Sequence, residues 1–155
     1  MLIKHQTHYF GEIEVDEADI ITFEKGIMPF EDDKRFVLLD DEKDGVPFMW
    51  LQSLDQEGLA WAVINPFLFK PDYDFELTEA FISEIGLEDP KDIAVFSVIN
   101  IPDNVRFITA NLMSPIIVNG KNRKGSQFVM TDERYHARHN ILDEMSAEEV
   151  LKKWA

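Results

Sequence analysis

Short apolar segments alternate with polar turns along most of the chain, and this spacing limits the folds that it can adopt. Turn residues recur about every 8–12 residues, which is typical of antiparallel β-proteins. Only one internal stretch, Glu79–Ile85, has helical spacing, with Thr78 as its N-cap and Gly86 at its end. A parallel sheet would need helical crossovers that this sequence does not contain. We therefore predict an all-β fold: a small closed or nearly closed antiparallel β-barrel with one short internal helix and a short C-terminal helix.

Residues 59–69, LAWAVINPFLF, are the most apolar stretch of the sequence. They predict a buried strand that bends at Asn65-Pro66 and then continues, because proline cannot donate a ladder hydrogen bond. The run is far too short to cross a bilayer. A kinked core strand is the favoured interpretation. The alternative is that Phe67, Phe69 and Tyr73, which lie just past the bend, form part of an exposed docking surface.

Further strands are predicted from apolar segments and from apolar and polar alternation. They are Glu12–Val15, Ile20–Phe23, Phe36–Leu39, Phe48–Leu51, Ile93–Ile101, Phe107–Asn111, Pro115–Asn119 and Gln127–Met130. Tyr73, Phe75 and Leu77 alternate with acidic residues, which predicts an edge strand guarded by charge. The basic loop Gly120–Gly125, GKNRKG, contains two glycines that can take left-handed conformations.

The predicted domain organisation is a single β-barrel domain over residues 1–140 and a helical tail over residues 141–155. Ser146-Ala147-Glu148-Glu149 forms a capping box in front of Val150, Leu151 and Trp154. A helix this short is marginal unless it packs on something. No repeat or flexible linker indicates a second domain. Self-association through the Trp154 helix is one alternative for the function of the chain.

The charge of the chain is −15, from 15 basic and 30 acidic residues. Such an acidic chain repels phosphate backbones, which disfavours direct nucleic-acid binding. It suits a basic protein partner, or it confers only solubility. The absence of cysteine excludes disulfides and thiolate metal sites. The N-terminus MLIKHQTHYF lacks a signal pattern and no run is long enough for a membrane helix, so we expect a cytoplasmic protein without a membrane partner.

Candidate chemical motifs are few. His136 and His139 are spaced so that a helix would place them on one face, but no third metal ligand is identifiable and HARH favours a solvated turn. GKNRKG lacks the spacing of a P-loop and is more typical of an ordinary turn than of an anion or acidic-partner contact. No motif predicts a metal site, a cofactor or catalysis, which favours a binding module. The alternative is a hydrolase-type enzyme whose carboxylates meet in the barrel mouth, because catalytic residues need not be adjacent in sequence.

Several segments, in consistent order along nearly the whole barrel, resemble the flagellar assembly factor family FliW. They are Tyr9–Val15 (YFGEIEV), Ile21–Asp32 (ITFEKGIMPFED), Arg35–Asp40 (RFVLLD), Trp50–Leu54 (WLQSL), Ala62–Leu77 (AVINPFLFKPDYDFEL), Thr109–Asn119 (TANLMSPIIVN) and Lys121–Gly125 (KNRKG). The ordered set is fairly specific to this family.

The resemblance implies a small β-barrel protein without catalysis. Proteins of this family bind cytoplasmic flagellin, and they bind and antagonise the translational regulator CsrA, a small RNA-binding dimer. Flagellin export frees the factor, which then sequesters CsrA and relieves repression of flagellin mRNA. We expect this chain to be a monomer when free of both partners.

The expected partner-binding residues are Phe67, Phe69, Asp72, Tyr73 and Asp74. The aromatic side chains would provide desolvated anchors, and the carboxylates would steer a basic partner. The alternative for each residue is packing at the barrel edge or a contribution to solubility alone.

Overall fold

The computed structural model describes residues 2–40 and 48–144. Within these residues the strands are β1 (Leu2–Thr7), β2 (Gly11–Asp16), β3 (Ile21–Thr22), β4 (Arg35–Asp40), β5 (Phe48–Ser53), β6 (Ala60–Ile64), β7 (Ile93–Asn100), β8 (Thr109–Ala110), β9 (Ile116–Asn119), β10 (Lys124–Gln127) and β11 (His139–Asn140). The α-helices in this part of the chain are α1 (Glu79–Glu84) and α2 (Ile141–Glu144). No helix in the described ranges combines the length and the apolar character needed to span a bilayer.

The barrel is a ring of strands in the order β7, β6, β5, β4, β3, β10 and β9, and β9 pairs back to β7. The β7–β9 ladder runs from Ile93 opposite Asn119 to Phe96 opposite Ile116. The join between β3 and β10 is a single parallel bridge from Thr22 to Lys124, and the other ladders between the described strands are antiparallel. The predicted all-β, nearly closed barrel is therefore confirmed, with one parallel contact that the sequence did not indicate.

The lumen of the barrel is filled by apolar side chains from β3, β4, β5, β6, β7 and β9 and from the loop after β3. Phe23 and Phe36 are fully buried and meet edge to face, with ring centroids 5.4 Å apart. Gly125 lies against the Phe23 ring, and a Cβ at this position would stand 2.7 Å from it. The buried residues of this lumen core are Ile21, Phe23, Ile27, Phe36, Leu51, Val63, Ile116 and Val118.

A second apolar core lies on the outside of the wall formed by β6, β7 and β9. Ile64, Ile99 and Ile117 point outward from these strands and are buried. An outer layer covers them, consisting of residues 69–77, α1 and residues 128–142. The wall is consequently buried on both faces, which accounts for the nearly uninterrupted apolar sequences of β6 and β9.

The β1–β2 hairpin forms a separate two-stranded sheet, in register from Leu2 opposite Asp16 to Thr7 opposite Gly11. Val15 packs with Val37 and Leu54 on the outer face of β4 and β5. This small third cluster holds the hairpin against the barrel.

The prediction for residues 59–69 is correct at the bend and wrong beyond it. β6 ends at Ile64, and Pro66–Leu68 form a 3₁₀ turn. The Asn65 side chain caps this turn, with its Oδ1 accepting the Phe67 N–H at 3.0 Å. The chain therefore turns away from the sheet instead of continuing along it.

The predicted edge strand at Tyr73–Leu77 is not formed. This segment alternates between side chains turned toward the outer core and side chains turned toward solvent, as a strand would. It has no ladder partner among the described residues, because it crosses the outside of the barrel wall as a covering layer and does not join the sheet. The apolar and acidic alternation correctly predicted an extended, half-buried segment, but it did not predict whether this segment pairs with another strand.

The final predicted strand, Gln127–Met130, is displaced toward the N-terminus, because β10 spans Lys124–Gln127. Phe128 and Met130 still donate their N–H groups to the carbonyls of Pro115 and Met113, at 2.9 and 3.0 Å. Pro115 has no N–H to return, and the Met113 N–H donates to the Asn111 side chain at 3.1 Å. The ladder becomes one-sided, so the regular strand ends at Gln127.

Three smaller predictions also need correction or remain open. The left-handed residue of the GKNRKG loop is Arg123, with φ 60°, and neither glycine of the loop has a positive φ. The predicted strand Phe107–Asn111 is reduced to Thr109–Ala110, because residues 105–107 form a 3₁₀ turn. The capping box at Ser146 and the helix after it lie outside the described residues.

Candidate partner-binding surface

The candidate site is a surface loop, residues 65–74, that leaves β6 and crosses onto the outer core. Main-chain hydrogen bonds close two successive turns, from the Lys70 N–H to the Pro66 carbonyl and from the Tyr73 N–H to the Lys70 carbonyl, each at 3.0 Å. Phe67 lies at the outside of the first turn and is 40% exposed. Its ring contacts that of Tyr73, with centroids 5.9 Å apart. The loop is thus closed by its own backbone and presents an aromatic side chain to solvent.

Tyr73 is buried beneath this loop, and only 4% of its surface is exposed. Its hydroxyl donates to the Leu112 carbonyl at 2.5 Å. Its ring packs against Phe75 and Tyr135, at centroid distances of 5.1 and 4.8 Å. Burial raises the pKa of the Tyr73 hydroxyl far above its usual range, with a smaller contribution from Tyr135, so the group is a neutral donor.

Phe69 is also buried, at 1% exposure, within the outer core. The expectation that Phe69 and Tyr73 form an exposed docking surface is therefore wrong. The 3₁₀ turn at Pro66–Leu68 directs Phe69 inward and leaves Phe67 outside. The two buried aromatics hold the loop in place and do not offer contact area.

Asp72 and Asp74 lie on the solvent side of the same loop, one on each side of Tyr73. An Asp72 oxygen stands 3.6 Å from the Lys70 ammonium, at a position where Asp72 is 83% exposed. The Asp74 N–H donates to the Tyr135 hydroxyl at 3.1 Å. The structure therefore brings Phe67, Asp72 and Asp74 together on one exposed loop, with both carboxylates accessible.

Sequence reasoning missed the contribution of residues 132–135 to this loop. The Arg134 guanidinium donates to both carboxylate oxygens of Asp132, and it also donates to the Asp74 carbonyl at 3.3 Å. Hydrogen bonds from Arg134 lower the pKa of Asp132 below its usual value. Arg134 also lies over the Tyr135 ring, 5.0 Å from its centroid. No local pattern indicates this contact, because the segments are about 60 residues apart in sequence.

The family profile described as FliW protein matches residues 4–141 of this sequence. This chain belongs to the FliW family. The flagellar assembly factor FliW of Alkaliphilus metalliredigens is 41% identical over 140 residues, covering 90% of this chain and 86% of that protein. The FliW of Treponema denticola is 41% identical over 142 residues, covering 92% and 95%.

A solved structure agrees with this assignment. The crystal structure of a flagellar assembly factor FliW superposes on this chain with a TM-score of 0.83 and 34% sequence identity, covering 90% of this chain and 96% of that one. Membership of the FliW family supports a role in flagellar assembly.

Potential catalytic and metal-binding groups of this FliW-family barrel are dispersed. Apolar side chains fill the lumen. Asp33 is the one buried carboxylate among the described residues, and it accepts a hydrogen bond from Gln56 at 2.7 Å. His136 and His139 stack with centroids 3.8 Å apart, and the His139 Nε2 accepts the His136 N–H. Across the described ranges, no three His, Asp or Glu side chains converge as metal ligands.

Proposed function

We propose that this chain binds cytoplasmic flagellin and that, when flagellin is exported, the freed chain binds and antagonises the translational regulator CsrA. Sequestration of CsrA then relieves repression of flagellin mRNA. In this cycle the chain acts by occupying other proteins, as a chaperone for flagellin and as an antagonist of an RNA-binding protein. It is a monomer when free of both.

The observation that carries the proposal is an exposed aromatic ring beside two accessible carboxylates on a fixed loop. Phe67 is 40% exposed, and Asp72 and Asp74 face solvent on the same segment. Aromatic side chains in protein interfaces supply much of the binding energy, while nearby charges set encounter rates and specificity. A loop whose base is already ordered loses little conformational entropy when it binds.

The overall charge supports CsrA as one of the partners. The chain carries −15, and an RNA-binding protein presents basic surface to the phosphate backbone. Opposite charges accelerate association of the two proteins. An acidic protein that covers the basic surface also repels the RNA that would compete for it.

The direct test is titration calorimetry with purified CsrA and, separately, with purified flagellin. Charge reversal at the loop, Asp72→Lys with Asp74→Lys, weakens binding of at least one partner by about tenfold or more because both steering charges change sign. The matched control is Glu12→Lys with Glu14→Lys, an equal change of charge on exposed positions of the β1–β2 hairpin. The control retains most of the affinity.

A second experiment separates binding from antagonism. CsrA bound to a flagellin-mRNA leader is titrated with the chain, and RNA release is followed by a gel-shift assay. The chain releases the RNA, and added flagellin restores the RNA complex. If neither protein binds the wild-type chain, the proposed function is wrong. If the loop variant binds both partners as the wild type does, the proposed surface is wrong.

A further inference from the structure

The chain that follows β10 has one edge of its backbone turned away from the barrel. The Phe128 and Met130 N–H groups point toward β9 and its preceding residues, where they donate to Pro115 and Met113. In an antiparallel register the alternate residues direct their N–H and C=O groups to the opposite side. Residues 127–131 therefore present a second, outward edge.

Gln127, Val129 and Thr131 carry the outward main-chain groups. In the part of the chain that the structure describes, these N–H and C=O groups have no hydrogen-bond partner. The neighbouring strand β3 pairs with β10 only at the bridge from Thr22 to Lys124, and farther along the chain the Met28 N–H bonds to the Gln127 side chain and not to its backbone. The edge is accessible, since Val129 is 62% exposed.

Open space borders this edge on both faces. On one face, Met28, Glu31 and Asp32 form a groove with Gln127 and Val129, with a volume of about 480 Å³. On the other face, a groove of about 320 Å³ is lined by Thr78, Phe81 and Phe128 and, at its rim, by the Lys25–Glu84 ion pair. An added strand directs alternate side chains to opposite faces, so both grooves would receive side chains.

The charges around the edge favour a basic occupant. Three exposed carboxylates that form no ion pair within the described residues line these grooves and the adjoining one: Glu31, Asp32 and Glu76. The nearby cations Lys25 and Arg134 are paired with Glu84 and Asp132. Lys34 adds one positive charge to the first groove, since its ammonium donates to the neutral Glu24 carbonyl at 2.7 Å, and the three carboxylates outnumber it. The net field at the edge is therefore negative.

We propose that the edge Gln127–Thr131 binds an extended segment of another protein, which adds to the barrel as a strand next to β10. The segment alternates basic and apolar side chains. Its basic side chains face Glu31 and Asp32, and its apolar side chains face Phe81 and Phe128. Backbone hydrogen bonds supply affinity and the two grooves supply sequence preference. This site does not use Phe67, Asp72 or Asp74, so it stands independently of the proposed function.

The test uses the full chain and a fluorescein-labelled synthetic peptide of alternating lysine and valine, with binding followed by fluorescence anisotropy. Val129→Pro removes an outward N–H and leaves the inward bonds of Phe128 and Met130 in place, and it weakens binding about tenfold. Val129→Ala keeps the N–H and is the matched control, with affinity within about twofold of wild type. Circular dichroism verifies that both variants are folded.

Amide hydrogen exchange of the wild-type chain provides a measurement that does not depend on a variant. Added peptide slows exchange at Val129 and Thr131, while Phe128 and Met130, already bonded, change little. A peptide of the same composition with lysines and valines in separate blocks binds more weakly. Equal binding of the two peptides, unchanged exchange at Val129 and Thr131, or wild-type affinity of a folded Val129→Pro chain would each overturn the proposal.

Discussion

The rings of Tyr73 and Tyr135 meet edge to face, with centroids 4.8 Å apart, and each hydroxyl bonds to a different part of the backbone. The Tyr73 hydroxyl donates to the Leu112 carbonyl, and the Tyr135 hydroxyl accepts the Asp74 N–H. Two distant segments of the outer layer are thereby joined at one point. The position of the surface loop, residues 65–74, which carries Asp72 and Asp74 and is called the acidic loop below, depends on this pair.

Replacement of Tyr73 by phenylalanine lowers the free energy of unfolding by about 1–2 kcal/mol, because the variant leaves a buried carbonyl of Leu112 without its donor. Urea denaturation measures the change. Tyr9→Phe, at an exposed position on the hairpin turn, is the matched control and stays within about 0.5 kcal/mol of wild type. Equal stabilities of the two variants would show that the Tyr73 hydroxyl contributes nothing.

Phe67 and Phe69 separate binding from stability, although they are two residues apart. Phe69→Ala removes a buried ring from the outer core and destabilises the fold by about 3–5 kcal/mol. Phe67→Ala costs less than about 1–2 kcal/mol, because its ring is partly solvated, and it weakens partner binding by about tenfold or more. Urea denaturation and calorimetry on both variants check this. If Phe67→Ala lost much stability and kept its affinity for both partners, Phe67 would be a structural residue and not a binding residue.

Binding of CsrA and flagellin weakens as salt rises if the acidic loop steers association. The Debye length falls from about 10 Å at 0.1 M to about 3 Å at 1 M ionic strength, which screens exposed charges such as Asp72 and Asp74. As the salt concentration rises, we expect the association rate constant, measured by stopped flow, to change more than the dissociation rate constant. The Asp72→Lys, Asp74→Lys chain serves as the control and has a smaller salt dependence. An unchanged association rate between low and high salt would count against electrostatic docking.

Asp55 links stability to pH through the junction of β4 and β5. Burial raises its pKa, but the Lys34 and Arg35 N–H groups, at 2.8 and 3.1 Å, and the Arg35 side chain more than offset this and lower the pKa below the ordinary value. A carboxyl with a depressed folded pKa contributes stability above its unfolded pKa, and this is lost as pH falls through the folded value.

Asp55→Asn therefore lowers the free energy of unfolding by about 1–3 kcal/mol at neutral pH, because charged hydrogen bonds become neutral ones. The difference between variant and wild type shrinks below about pH 4, near the unfolded pKa of aspartate. Urea denaturation across pH 3–7 measures it. Asp103→Asn, at an exposed position, is the control. If the difference in unfolding free energy between wild type and Asp55→Asn grew as the pH fell, the prediction would be wrong.

Strands were predictable wherever an apolar pattern coincided with a ladder. β4, β5, β7 and β9 lie close to their predicted bounds, because their side chains face a buried core on one or both sides of the wall. The apolar pattern did not predict the bounds of a strand where its pairing depends on a residue distant in sequence. The early end of β10 depends on Pro115, and no feature of residues 127–130 themselves reports it.

The candidate surface was predictable in its place on the chain but not in its exposure. Phe67, Phe69 and Tyr73 are alike as apolar side chains, and the 3₁₀ turn after Asn65 decides which of them is buried. The left-handed residue of the GKNRKG loop was also not predictable from the sequence. A glycine was the natural expectation, yet Arg123 takes this conformation while its guanidinium donates to the Asp19 carbonyl at 3.0 Å.

The barrel wall at β9 has no solvent side. Ile116–Asn119 are buried on both faces, and the Asn119 amide bonds to the carbonyls of Ile85 and Gly86 beyond α1. Partial opening of the outer layer would hydrate one face of this strand and leave the lumen intact. We therefore expect unfolding to begin in the outer layer and to reach the barrel afterwards, with the β9 amides among the slowest of the described residues to exchange with water.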